Sequence, residues 1–218
     1  MRYFFLTILL LGLFVGVQVV VYQNYDSDSS EIDFDDVSGS IVKLETTTSR
    51  SSKNFGSGII ISQNGYIVTA YHLLRNAYNI SVDILGDKYN ANVVGFDEYS
   101  DIAVIKVNAS GLKPIQIETK LDLKIGDQVY AIGNPFNVGI SVSSGILSAT
   151  GRNFGNPYLD ILQTDASINK GNSGGALVNS KGRLVGINTS IATLSGGSDG
   201  VGFAIPSDKI LSISEEII

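Results

Sequence analysis

Between residues 40 and 205 the chain runs in short β-branched and apolar stretches, each closed by a turn built on Gly, Asn or Asp. That rhythm points to an all-β barrel or sandwich. One set of strands is expected at 40–46, 57–62, 66–71, 79–85, 89–96 and 102–107. A second is expected at 128–132, 140–149, 159–164, 175–179, 183–189 and 201–205, after a more polar connection over 113–127. Asn64-Gly65 marks a tight hairpin, because both residues tolerate the positive φ such a turn needs. Pro206 suits the first turn of a closing helix that runs toward Ile218. The halves echo each other, since Gly56-Ser57-Gly58 and Ser173-Gly174-Gly175 each open a hairpin of similar length. Two related barrels packed together would produce that echo.

Composition narrows the chemistry. There is no Cys and a single His, which leaves no disulfide, no thiolate site and no structural zinc site. No metal or cofactor is expected. The net charge of −6 is concentrated in Asp26, Asp28, Glu31, Asp33, Asp35 and Asp36, a stretch read as a solvated acidic linker over 26–37. No basic patch remains to attract nucleic acid. Before the linker, an almost unbroken apolar run from Tyr3 to Tyr22 is long enough to cross a ~30 Å hydrocarbon core as a helix. Residues 1–25 are therefore expected to be a transmembrane anchor, with Arg2 holding the N-terminus inside and the body facing outward. A cleaved signal is the alternative, with Ser27 and Ser29 as its cleavage pattern. The body is then residues 38–218, with barrels near 38–115 and 125–205.

Ser173 carries the clearest chemical signal, within Gly171-Asn172-Ser173-Gly174-Gly175. Glycines let the backbone bend so that the amides of Gly171 and Ser173 point at one spot, where an oxyanion would form. A plain Gly-rich turn would have the same local sequence. A serine hydroxyl needs a neighbouring base, and His72, at the end of the strand 66–71, is the one imidazole available. The third partner should be a buried carboxylate that fixes the imidazole tautomer. Asp101 leads into the apolar strand 102–107, where a carboxylate is costly without a partner. Asp97 and Glu98 are alternatives in the preceding polar turn.

The order His72, Asp101, Ser173 is the triad order of the chymotrypsin-like double β-barrel. With it, the chain resembles the HtrA/Deg serine proteases, in particular their DegS-like membrane-anchored forms, over about residues 38–211. The resemblance rests on Gly56-Ser57-Gly58, Gly65-Tyr66-Ile67-Val68-Thr69, Ser100-Asp101-Ile102-Ala103-Val104 and Ala131-Ile132-Gly133-Asn134-Pro135-Phe136. It rests equally on Gln163-Thr164-Asp165-Ala166-Ser167-Ile168-Asn169, the serine loop, Gly186-Ile187-Asn188-Thr189 and Gly202-Phe203-Ala204-Ile205-Pro206.

That resemblance implies two six-stranded barrels with a short C-terminal helix, and a serine endopeptidase using His72, Asp101 and Ser173. Gly171, Asn172 and Ser173 would form the oxyanion hole. Thr189 would support the buried Asp101, and the edge Thr189, Ser190, Ile191 would pair with an extended peptide. Ser167 stands where trypsin-like pockets carry an acid, and Ile191 where deep pockets have Gly. Cleavage after small aliphatic residues such as Val or Ala follows, although strand packing alone would also account for Ile191. The resemblance further implies polypeptide substrates, a homotrimer, and a single-pass protein of the bacterial inner membrane facing the periplasm, active in envelope quality control or stress signalling. A catalytically silent peptide-binding barrel is the competing reading. Three departures stand out, one being a short segment before Gly56, where some relatives carry a long regulatory loop. Lys170 replaces the family's usual Pro before Gly-Asn-Ser, and the sequence ends at Ile218, where relatives continue into a PDZ domain; a PDZ-less form or a fragment is expected.

Overall fold

Twelve strands close into two six-stranded antiparallel barrels. The computed structural model describes residues 32–48, 52–153, 160–191 and 197–218, with backbone only at 190 and 191. The expected anchor over 1–25 lies outside the described residues. Among those described, no helix is long and apolar enough to cross a membrane.

The first barrel comprises β1 (Ile41–Thr48), β2 (Lys53–Ile60), β3 (Tyr66–Ala70), β4 (Ala77–Ile84), β5 (Asp87–Asp97) and β6 (Ile102–Val107). They close in the order β1-β2-β3-β6-β5-β4. The second comprises β7 (Gln128–Gly133), β8 (Ser141–Arg152), β9 (Ile161–Thr164), β10 (Ala176–Asn179), β11 (Leu184–Ile191) and β12 (Gly202–Pro206), closing as β10-β11-β12-β9-β8-β7. Helix α1 (Phe34–Ser38) precedes the first barrel and α2 (Ser207–Ile217) follows the second.

Strand pleating explains why several runs are apolar at successive positions. Neighbouring residues of a strand face opposite sides. Ile60, Ile67 and Ile105 fill the first barrel, while Ile59, Val68 and Val104 beside them join Ile132, Ala176 and Ile187 in a layer between the barrels. Val129, Leu147, Leu177 and Val185 fill the second barrel. A strand with a barrel core on one face and a second barrel on the other has no polar face to spare.

Three of the boundaries that differ from expectation bear on how the elements pack. The acidic stretch is not linker to residue 37: Asp33 caps α1, its carboxylate accepting from Asp36 N at 3.0 Å, and Asp35 and Asp36 sit favourably at the positive end of the helix. Phe34 packs edge-on against Tyr130, ring centroids 4.9 Å apart, and Asp36 pairs with Lys113. Strand β2 begins at Lys53 rather than 57, because Lys53-Asn54-Phe55 lacks an apolar pattern yet pairs with β1, with Lys53 Nζ 2.6 Å from Glu45. Pro206 precedes α2 rather than lying in its first turn, with an extended ψ of 150°.

Ile59 is fully buried in the layer between the barrels. Ile59→Ala should lower stability by about 2–5 kcal/mol. Urea unfolding followed by tyrosine fluorescence should show an earlier midpoint with an unchanged slope; an unchanged midpoint would mean that the seam contributes little.

Candidate active site

His72 and Asp101 come from the first barrel. Strand β3 ends at Ala70 and turns through a single 3-10 turn, Tyr71–Leu73, which carries His72 to the seam. Asp101 enters β6 with a φ of +58°, a left-handed conformation that short polar side chains tolerate. Its carbonyl accepts from Tyr71 N at 2.9 Å, and its Oδ1 accepts from His72 N at 2.8 Å. Its Oδ2 lies 2.7 Å from His72 Nδ1 and accepts from Thr189 Oγ1, also at 2.7 Å. Burial alone would raise the Asp101 pKa. The hydrogen bond and charge of His72, the Thr189 hydroxyl and the His72 amide together outweigh it and hold the carboxyl below its ordinary value. An ionised Asp101 places the ring proton on Nδ1 and leaves the Nε2 lone pair free.

Ser173 and its loop come from the second barrel. Gly171 has a φ of +102°, and a Cβ there would lie 2.1 Å from the Asn134 carbonyl oxygen, so no other residue fits. The Lys170 carbonyl accepts from Phe136 N at 2.7 Å. In a trans peptide the N–H points opposite to the C=O, so this bond turns the Gly171 N–H away from Phe136. Among the described residues, neither Gly171 N–H nor Ser173 N–H has an acceptor. Asn172 departs from the expected trio: its N–H donates to Asn169 O at 2.9 Å and is not available to an oxyanion. The two flanking amides remain.

Ser57 is the residue that sequence reasoning passed over. It is fully buried, and its hydroxyl donates to Gly171 O at 2.7 Å while accepting from Asn134 N at 2.8 Å. Its backbone N–H donates to Ser173 O at 2.9 Å. One first-barrel side chain thus ties the serine loop to the 134–137 turn, whose Phe136 N–H holds Lys170. A serine between two glycines on an otherwise apolar strand was the available signal.

The Ser173 hydroxyl donates to Thr189 O at 3.0 Å. Thr189 therefore touches Asp101 with its side chain and Ser173 with its carbonyl. Strand β11 pairs with β12 through Ser190↔Phe203 and Ile191↔Gly202, but with β10 only as far as Ile187. Its other edge over 189–191 has no strand partner among the described residues. Ser167 is exposed, and its carbonyl accepts from Ser143 Oγ at 2.8 Å.

A trypsin-like peptidase domain matches residues 56–187, more than half of the chain. An HtrA-type protease, AlgW with a bound decapeptide, superposes with a TM-score of 0.78 at 36% identity, covering 85% of this chain and 67% of that one. The chain belongs to the HtrA/Deg family of trypsin-like peptidases. Periplasmic serine endoprotease DegP of Escherichia coli (strain K12) is 47% identical over 168 residues, which are 75% of this chain and 35% of DegP. Protease Do-like 1, chloroplastic, of Arabidopsis thaliana is 42% identical over 171 residues, 75% of this chain and 39% of that protein. The chain thus spans little more than a third of the length of these curated relatives. The double six-stranded barrel is the chymotrypsin-like fold, and this HtrA/Deg chain adds the short C-terminal helix α2.

The depressed Asp101 pKa has a definite sign. A carboxyl with a lower pKa folded than unfolded stabilises the fold above its unfolded value, and loses that contribution as pH falls through the folded one. Asn tolerates the same φ, so Asp101→Asn removes the charge without straining the backbone. The stability gap between wild type and Asp101→Asn should be widest near neutral pH and should narrow below about pH 4. Denaturant titrations at several pH values measure it, and a gap independent of pH would exclude the carboxylate charge as its source.

Proposed function

We propose that the chain is a serine endopeptidase that cleaves extended polypeptides. The observation that carries this reading is that the Gly171 and Ser173 N–H groups, without an acceptor among the described residues, lie on one cleft with the Ser173 hydroxyl and an imidazole held through Nδ1 by Asp101. The Ser173 hydroxyl turns from Thr189 O toward His72 Nε2, which takes its proton as Oγ bonds to the scissile carbonyl carbon. The two amides receive the resulting oxyanion; one such donor is worth roughly 10²–10³ in rate. Asp101 stabilises the imidazolium without taking its proton. The intermediate collapses as His72 protonates the leaving amine, and water, deprotonated by the same imidazole, releases the acyl group and restores Ser173.

The rest of the reading follows the geometry and the relatives. A substrate would add as a strand along the open edge of residues 189–191, as fits a family whose member AlgW is described with a decapeptide. The absence of an acid at Ser167 argues against Lys or Arg before the cut and favours small aliphatic side chains. The relatives' periplasmic naming and the apolar run 3–22 support an anchored protease domain on the outer side of a bacterial inner membrane, with a role in envelope quality control. Assembly as a homotrimer is part of this proposal. Light scattering on the detergent-solubilised chain tests it.

A fluorophosphonate probe should label the wild type and not Ser173→Ala, and casein should be degraded only by the wild type. Gly171→Ala should lose roughly 10²-fold in kcat and also some stability, because the added Cβ meets the Asn134 carbonyl and displaces the amide donor. A wild type that resists labelling while a related protease is labelled would favour the silent peptide-binding barrel.

A further inference from the structure

A cleft of about 440 Å³ opens beside Ser173, with Lys53, Phe55, His72, Leu73, Phe136 and Lys170 on its walls. Among the described residues, Ser167 and Thr189, at the start of the strand edge 189–191, take no part in it. Those elements belong to the side of Ser173 assigned above to the acyl half of a substrate, so the cleft lies on the side where the leaving amine and the residues after it must pass. The following inference rests on that proteolytic reading.

The walls combine an apolar floor with two cations. Phe55 is half-buried, Leu73 is buried and Phe136 is 64% exposed. The charge of Lys53 is met by Glu45 at 2.6 Å. Lys170 is exposed and has no carboxylate within ion-pair distance among the described residues. Its backbone is fixed next to the oxyanion donors by the Phe136 N–H bond to its carbonyl, so its ammonium sweeps a limited arc over the cleft. Two lysines and no carboxylate line this cleft, with Glu45 set behind Lys53, although the chain as a whole carries a net charge of −6.

We propose that Lys170, aided by Lys53, forms a leaving-side subsite that selects polypeptides with Asp or Glu among the first three residues after the scissile bond. An extended chain advances about 3.3–3.6 Å per residue, so three residues span the reach of a lysine side chain anchored beside Gly171. An acidic side chain there meets an otherwise unpaired ammonium, with its methylene stem on the phenyl rings. A basic side chain at the same place meets like charge.

The test uses the full chain and a peptide series identical before the cut. Glu, Gln or Lys is placed in turn at the first, second and third positions after it. Mass spectrometry gives kcat/KM for each peptide, and the Gln peptide is the internal reference for every variant, so ratios rather than absolute rates are read. At 50 mM NaCl the wild type should prefer Glu over Lys roughly three- to tenfold at one or more positions, the scale of an exposed ion pair gained and a like-charge contact avoided. The ratio should shrink at 500 mM NaCl, fall to about one in Lys170→Gln and invert in Lys170→Glu. A wild type indifferent to the charge, or a preference unchanged in both variants, would overturn the subsite while leaving proteolysis intact. Absence of any cleavage, with no fluorophosphonate labelling of the wild type, would instead remove the proteolytic reading. Fluorescence anisotropy of the same peptides on Ser173→Ala then decides the subsite by affinity, and equal binding of the Glu and Lys peptides would exclude it.

Discussion

The site exists only because two barrels meet in one register, and the Ser57 hydroxyl fixes that register at its most demanding point. An exposed hydrogen bond would do little, since the net worth of an ordinary one is about 0.5–1.5 kcal/mol. Ser57 is fully buried, so losing its bonds would strand the Gly171 carbonyl and the Asn134 amide, a cost of about 1–3 kcal/mol for each. The penalty for misalignment, more than the reward for alignment, is what makes the seam specific. The apolar layer of Ile59, Val68, Val104, Ile132 and Ile187 supplies the non-directional attraction. Ser57, Asn134 and Gly171 supply the direction.

The same seam explains why Gly171 has no substitute. The Asn134 carbonyl sits where its Cβ would be, and the 134–137 turn sits there because Ser57 holds Asn134 N. Phe136 N then grips the Lys170 carbonyl, and the direction of the Gly171 N–H follows from peptide planarity. A chain of rigid units thus runs from first-barrel strand β2 to an amide hydrogen beside Ser173. Lys170 lacks the φ restriction of the proline usual in the family, so here the carbonyl contact rather than the side chain must hold the loop.

How much of this was legible in the sequence depended on how local each signal was. The paired apolar runs of β2, β3 and β6 were visible because double-sided burial writes itself into consecutive residues. His72 stood out by being the only imidazole, and Asp101 by preceding an apolar strand. The first turn of β2 was not visible, since Lys53-Asn54-Phe55 owes its strand conformation to cross-strand pairing with Thr47, Thr46 and Glu45. Helix α1 was hidden inside what composition read as linker, although Asp33 and Asp36 are spaced as a cap requires. The Ser57–Gly171 bond joins residues 114 apart in sequence, and no local pattern can announce such a contact. Asn172, which the family resemblance added to the Gly171 and Ser173 amides, differs for the opposite reason: a turn bond to Asn169, three residues away, takes its amide.

In the proposed function, Thr189 would join substrate capture to the chemistry. Its hydroxyl holds Asp101, its carbonyl holds the Ser173 hydroxyl, and the open strand edge begins at the same residue. A peptide that pairs along this edge lies against the backbone that restrains the nucleophile. Any shift of that strand which lengthens the 3.0 Å bond from Ser173 Oγ frees the hydroxyl to seek His72 Nε2. The bond from Thr189 Oγ1 to Asp101 Oδ2 resists the same shift, because breaking it would cost a partly buried carboxylate one of its donors. Backbone and side chain of one residue therefore pull in opposite senses. The bonds of Asn188 N to Gly175 O and of Gly174 N to Asn188 O hold β11 to the serine loop on its β10 side, the same side that is open over 189–191, so the serine loop and the peptide edge share one face of the strand.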